Sequence, residues 1–390
     1  MSKTTATKMP DVTAAEPIPA SAMSEVNRIL GNGDLYRYTT AESPVTQLER
    51  EFATKIGSCY ALAVSSCSAA LFLSLMALDL RPGAKVLIPA FTFVAVPSAV
   101  VHADCVPVLC ECGSNYRIDL DDFRRKLPEV DAVLISHMRG HTSEMDAIMA
   151  ACDAADVPVI EDAAHSLGTT WDGRKIGTLG KMGCFSFQSY KLLNSGEGGI
   201  MVTDDPDLMA RAIMMHGSYE DKWQHHDIPA DVMAKVQTNM PMFGLRLNTL
   251  SGVLIRAQLE HLDRRVLDGR RNHDHVANRL SAINSVQVPA AYPAELRAPD
   301  SLQFNLPHLS DDEVDAFIDD AKRHGLHIQV FGRSKNNSRA YWNWGFLDDV
   351  PELPQTRAML MRACDLRLPA RLTLAECDLI ADTLIAALGD

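Results

Sequence analysis

The sequence predicts an α/β protein with a large, mostly parallel sheet between helices and a smaller C-terminal α/β unit. Three observations predict it. Between residues 60 and 203, short runs that are apolar throughout alternate with longer helical ones. Strands apolar on both faces suit a parallel sheet covered on both sides. After Pro206 that alternation stops, and a second, shorter α/β pattern closes the chain. Its 390 residues, 47% hydrophobic and 22% charged, are too many for one simple core and too apolar for a disordered chain.

Residues 1–24, rich in Thr, Ala and Pro, read as a loose tail. Val45, Leu48, Phe52 and Ile56 recur at three- and four-residue intervals, one face of a helix. Strands are expected at 61–64, 85–88, 106–109, 132–135, 158–161, 184–187 and 200–203, with helices between most of them, such as 69–78 and 145–155. A helix follows at 206–216, then a polar stretch, then a long helical region over 250–280. The end reads as strand 302–306, helix 311–324, strand 327–330 and helix 375–388. The division is therefore tail 1–24, large unit 25–265 and small unit 266–390.

Composition excludes several functions. The net charge of −13 disfavours non-specific binding to nucleic acid or anionic membranes, and no run of about 20 apolar residues offers a membrane span. The nine cysteines are odd in number and irregular in spacing, and Cys110 and Cys112 stand too close for a zinc knuckle. Reduced thiols in a cytoplasm are the expectation, with no metal site. The N-terminus has no apolar core of a secretory signal.

Four segments carry chemistry. Strand 158–161 leads into Asp162-Ala163-Ala164-His165, an acid where α/β sheets bind ligands, although Asp is also a good helix cap. Phe185-Ser186-Phe187 leads to Lys191 and then Gly196-Glu197-Gly198-Gly199. Such a lysine, partly desolvated, has a lowered pKa and an amine free for Schiff-base chemistry, whereas a lone lysine is ordinarily solvated. Ser66-Cys67-Ser68 joins a strand to a helix, a phosphate cradle or a simple serine cap. Phe91 and Phe93 cover a flat ring or fill core. Together these ask for a phosphate, a flat ring, a ring cation and an aldehyde, which are the parts of pyridoxal phosphate.

With these segments on view, the chain resembles the DegT/DnrJ/EryC1/StrS aminotransferases, pyridoxal-phosphate enzymes of fold type I. The resemblance covers roughly residues 25–385. It also includes His137-Met138-Arg139-Gly140, Met145-Asp146, His216-Gly217, Leu353-Pro354-x-Thr356 and Leu366-x-Leu368-Pro369. Asn32-Gly33-x-x-Tyr36-Arg37-Tyr38 is similar to the branch that aminates octulosonic acid sugars. The resemblance implies that Lys191 is the Schiff-base lysine and proton shuttle. Asp162 would face the pyridine nitrogen, Phe93 stack on the ring and His165 lie near the ring hydroxyl. Ser186, Ser68 and Cys67 would hold the phosphate. It further implies a homodimer with active sites at the subunit interface, and glutamate or glutamine as donor.

Two departures touch the phosphate. Ser66-Cys67-Ser68 stands where relatives carry Ser-Gly-Thr, and Gly244 replaces an Asn that reaches the neighbouring subunit's phosphate. Losing one such hydrogen bond costs about 1–3 kcal/mol, roughly ten- to a hundred-fold in affinity; Asn248 is a candidate substitute. Arg37, Tyr38, His216, Arg246 and Arg339 are candidate substrate contacts. Arg339 belongs to a loop that also holds Arg333, Lys335, Asn336, Asn337, Tyr341, Trp342 and Trp344. The expected function is transfer of an amino group to a keto sugar, either a sugar nucleotide or a keto sugar acid. The alternatives are a keto-cyclitol acceptor and a regulator that keeps the fold without turnover.

Overall fold

The computed structural model describes residues 8–389. Seven strands form one sheet in the order Tyr60–Val64, Gly199–Thr203, Met182–Ser186, Val159–Asp162, Ala132–Ser136, Lys85–Pro89 and Val106–Cys110. The last five strands in this order run parallel, and Gly199–Thr203 is antiparallel to both its neighbours. Every expected strand of the large unit is present, shifted by at most two residues at either end.

The apolar runs are explained by their two faces. Successive side chains point to opposite sides of a strand. Leu134, Ile160 and Met201 enter one core, with Leu71, Ala99 and Met209 of the helices above. Val133, Val159 and Ile200 enter the other, with Leu48, Phe123 and Ile148 of the helices below. The helix over residues 45–56 starts one residue earlier, at Pro44, and Ser43 caps it through the Thr46 N–H.

A second sheet joins Ser301–Asn305, Ala363–Arg367 and Gln329–Val330, all antiparallel, with Ala363–Arg367 in the middle. Val276, Phe317 and Ile380 of three helices pack on it. Serine and threonine capping boxes at Ser310/Glu313 and Thr373/Glu376 start two of those helices. The helical region over 250–280 is broken into Thr249–Arg256, a short turn, and Leu262–Leu280. The division at 265/266 therefore falls inside a continuous helix.

The expected loose tail also needs correction. Residues 1–7 lie outside the described residues, but 8–21 are docked. Val12 is buried in the small unit's core, and Arg371 donates to the carbonyls of Asp11 and Ala14. The Asn194 and Arg265 side chains hold the carbonyls of Glu16 and Pro17. Among the described residues, no helix is long and apolar enough to cross a membrane.

Candidate active site

Six strands of the large sheet end at one edge, and the segments that follow five of them meet there. The carboxyl ends of Tyr60–Val64, Lys85–Pro89, Ala132–Ser136, Val159–Asp162 and Met182–Ser186 lead into residues 65–68, 90–93, 137–140, 163–165 and 187–191. Between these segments and the small sheet lies a cavity of 660 Å³. Eight of the expected site residues line it: Cys67, Ser68, Phe93, Asp162, His165, Ser186, Lys191 and Arg339.

Asp162 is buried as the last residue of its strand, paired in register with Ser136. It caps no helix. Its Oδ2 accepts from Ser136 Oγ at 2.7 Å, and its Oδ1 accepts from the Ala164 N–H at 3.1 Å. The adjacent Glu161 points the other way. Its carboxylate accepts from the N–H groups of Gly177, Leu179 and Gly180 and pairs with His137, so it is structural.

Lys191 sits in a tight turn rather than a helix, its N–H donating to Gln188 O at 2.9 Å. Its Nζ lies 2.9 Å from His165 Nε2 and 3.1 Å from Nδ1. Burial lowers the lysine pKa to about 8, with Arg139 adding to the shift and Asp300 opposing it. Burial, and then the Lys191 charge, drive His165 well below the usual histidine range. Both effects favour the uncharged imidazole beside the amine.

The third corner is the helix Cys67–Ala77. Ser66 Oγ accepts from the Ala69 N–H and so caps the helix, while Ser68 stands exposed on its first turn. Burial, and then Asp162, hold the Cys67 thiol well above its ordinary pKa, so it stays neutral. The strand Gly199–Thr203 begins directly beneath. A Cβ on Gly199 would lie 2.4 Å from the Cys67 nitrogen, so only glycine lets this loop settle. The two phenylalanines separate: Phe91 is core against Phe331, whereas Phe93 is 40% exposed to the cavity. An amine of lowered pKa, a fixed carboxylate, a hydroxyl-bearing helix start and an exposed aromatic face fit pyridoxal phosphate.

The remaining expected contacts are elsewhere. Arg37 was expected to meet substrate, but its guanidinium is wholly buried against Glu49 at 2.8 Å and also donates to Ala63 O. Arg37 pulls the Glu49 carboxyl down to about 2, against the opposing effect of burial. Tyr38 and His216 are buried together, the Tyr38 hydroxyl lying 3.1 Å from His216 Nε2 and 2.8 Å from His226 Nε2. Arg246 donates to Gly217 O and lies over the Tyr36 ring. Asn248 is engaged as a helix cap, accepting from the Ser251 N–H at 2.9 Å. None of these five lines the cavity.

The loop around Arg339 is divided in the same way. Tyr341 and Trp344 are core, and Arg333 pairs with Asp311 and Asp315. Only Arg339, with His327 and Gln329 before it, faces the cavity. Among the lining residues not expected as site residues are three with charged side chains on the far wall, Arg139, Asp365 and Arg367. The signal for two of them is the alternation in Ala363–Arg367. Cys364 and Leu366 enter the core, so Asp365 and Arg367 share the opposite face.

Comparison with known proteins concerns the whole chain. The DegT/DnrJ/EryC1/StrS aminotransferase family matches residues 18–385. The chain is 33% identical over 291 residues to the spore coat polysaccharide biosynthesis protein SpsC of Bacillus subtilis, covering 73% of this chain and 67% of that one. It is 29% identical over 355 residues to 3-amino-5-hydroxybenzoate synthase of Amycolatopsis mediterranei, covering 88% and 87%. A crystal structure of a 3-amino-5-hydroxybenzoic acid synthase superposes with a TM-score of 0.84 at 25% identity, over 98% of this chain and all of that one. Because the match runs nearly end to end and the lysine lies where the sheet opens, the chain belongs to the DegT/DnrJ/EryC1/StrS family of pyridoxal-phosphate-dependent aminotransferases.

Proposed function

We propose that this aminotransferase moves an amino group from glutamate or glutamine to the keto group of a sugar, either a sugar nucleotide or a keto sugar acid. The observation that carries the reading is the Lys191 amine, held 2.9 Å from His165 Nε2 in a cavity that also contains Asp162. The names of the relatives, a polysaccharide biosynthesis protein and an aminohydroxybenzoate synthase, support the sugar or cyclitol class.

When bound, pyridoxal phosphate supplies the electron sink that lets an amino group leave one carbon and join another. Lys191 would attach it and, once released, carry a proton on Nζ to and from the substrate carbon. A pKa of about 8 suits both states of that amine near neutral pH. Asp162 would face the ring nitrogen, its oxygens fixed by Ser136 and the Ala164 N–H. Ser68, Ser186 and the backbone at Cys67 would hold the phosphate, Phe93 would cover the ring, and His165 would lie beside the ring hydroxyl. The cofactor would belong to the unit of residues 25–265, with residues 266–390 closing over it and Arg339 reaching substrate.

A homodimer fits the reading. Leu35, Tyr36, Tyr219 and Met242 are exposed apolar groups on the segments next to Arg246, and Tyr36 meets Tyr219 at 3.1 Å between hydroxyls. Across such an interface Tyr38, His216, Arg246 and Asn248 would stand near a neighbour's site. The nine free thiols accord with a cytoplasmic setting. The test is a screen of keto sugars, keto sugar acids, sugar nucleotides and keto-cyclitols, with glutamate or glutamine as donor. Acceptor-dependent release of the donor's oxo acid is expected with a keto sugar. Turnover with keto-cyclitols alone would move the assignment to that class.

A further inference from the structure

The docked N-terminal segment reaches the cavity, for Val12 and Thr13 both line it. Asp11 Oδ1 accepts from the N–H groups of Thr13 and Ala14 and from Thr13 Oγ1 at 2.7 Å, which folds residues 11–14 into a turn. The segment is anchored twice. On the small unit, Val12 is buried with Leu326 and Leu372, and Arg371 Nη2 donates to the carbonyls of Asp11 and Ala14. On the large unit, Asn194 Nδ2 donates to Glu16 O at 3.0 Å and Arg265 Nη2 to Pro17 O at 2.7 Å. This second anchor also supports the lysine turn. Arg265 Nη1 donates to Leu192 O at 2.5 Å, and Leu192 is the residue after Lys191.

The two anchors meet at Glu16, whose Oε1 accepts from the Arg371 N–H at 3.3 Å while its carbonyl is held by Asn194. Ala15 alone lies between that carbonyl's residue and Ala14, the last whose carbonyl Arg371 Nη2 holds. Two residues of chain span at most about 7 Å fully extended. The small unit therefore has little freedom to swing off the lysine turn while both anchors hold. A segment that only completed the small unit's core would need the first anchor alone. We propose that residues 11–17 are a strap that keeps the small unit closed over Lys191, shielding the cavity from water and small reagents until an anchor lets go. Arg371, Asn194 and Arg265 act through the strap and are positioning residues. The inference goes beyond the proposed reaction, because it depends on the lysine-bearing cavity and on no particular donor or acceptor. Such shielding accords with the burial that lowers the Lys191 pKa to about 8.

The experiment is iodoacetamide labelling of cofactor-loaded and cofactor-free protein, located by peptide mapping. Cys67 lines the cavity, the exposed Cys59 is the internal standard, and the buried Cys184 and Cys364 report unfolding. Full-length Arg371→Gln and a chain lacking residues 2–14 are compared with the wild type. Both are expected to label Cys67 at least about tenfold faster relative to Cys59, the loss of one charge-assisted contact, with Cys184 and Cys364 still protected. If the shortened chain labels all three, it has unfolded, and Arg371→Gln, which keeps Val12, decides. In the cofactor-loaded samples the same variants are expected to lose the colour of lysine-bound cofactor to hydroxylamine at least about tenfold faster, for the same contact. Their capture of pyridoxal phosphate is expected to have its midpoint above the wild type's pH of about 8, since His165, Asp162, Cys67, Arg139 and Asp300 still face the amine and only its burial changes. An unchanged ratio of Cys67 to Cys59 in Arg371→Gln, or a lower urea midpoint with labelling and capture unchanged, overturns the strap. A wild type that shows no lysine-bound colour counts against the aminotransferase reading, and the labelling of cofactor-free protein still decides the strap.

Discussion

Lys191→Ala is expected to lose the colour of lysine-bound pyridoxal phosphate and to lose turnover by about 10⁴-fold, the upper range for removing a positioned acid and base. The reason is geometric. Nζ lies 2.9 Å from His165 Nε2, inside the cavity that also contains Asp162 and Phe93, and among the described residues no other lysine lines that cavity. The wild type also has a testable pH dependence. An amine with a pKa lowered to about 8, from an ordinary 10.5, is free of its proton above that pH. Capture of pyridoxal phosphate by cofactor-free protein should therefore quicken as pH rises through about 8 and then level. A rate still climbing towards 10.5 would mean that burial does not desolvate the amine. Steady-state oxo-acid formation from glutamate checks the variant, and turnover near the wild-type rate would remove Lys191 from the chemistry.

Arg37→Ala is expected to act on stability. The pair Arg37–Glu49 is buried from both sides, and Glu49 Oε1 also accepts from the Ala63 N–H of the first strand at 2.7 Å. Removing the guanidinium leaves a buried carboxylate without its counter-charge, which costs about 3–5 kcal/mol in comparable cases. Urea unfolding measures this as a lower midpoint at unchanged slope. The pH behaviour has a definite sign. A carboxyl held at about 2 rather than 4.5 stabilises the fold above its unfolded pKa, and that contribution fades as pH falls from 4.5 towards 2. The variant lacks the depressed pKa, so its stability is less sensitive to acid across that window. Intact stability combined with weakened substrate binding would return Arg37 to the role its sequence position had implied.

Arg37 also shows where sequence reasoning stops. A basic residue between two tyrosines reads as a ligand contact, and its partner twelve residues on does not announce that both are buried. The large sheet was legible because each strand fills two cores at once, and so carries apolar side chains at nearly every position. The site lysine, acid and serine loop were legible because they follow those strands directly. Strand Ala363–Arg367 was harder to read. Its five residues alternate Cys364 and Leu366 with Asp365 and Arg367, a strand signal too short to stand out until the neighbouring strands pair with it. The docked segment 8–21 was harder still, because its partners Asn194, Arg265 and Arg371 lie hundreds of residues away.

The central claim is that pyridoxal phosphate attaches to Lys191. Borohydride reduction of the cofactor-loaded protein, followed by peptide mapping, tests it most directly. The account predicts one phosphopyridoxyl group per chain, on the peptide that carries Lys191. A modification on another lysine, or none after loading, would contradict it.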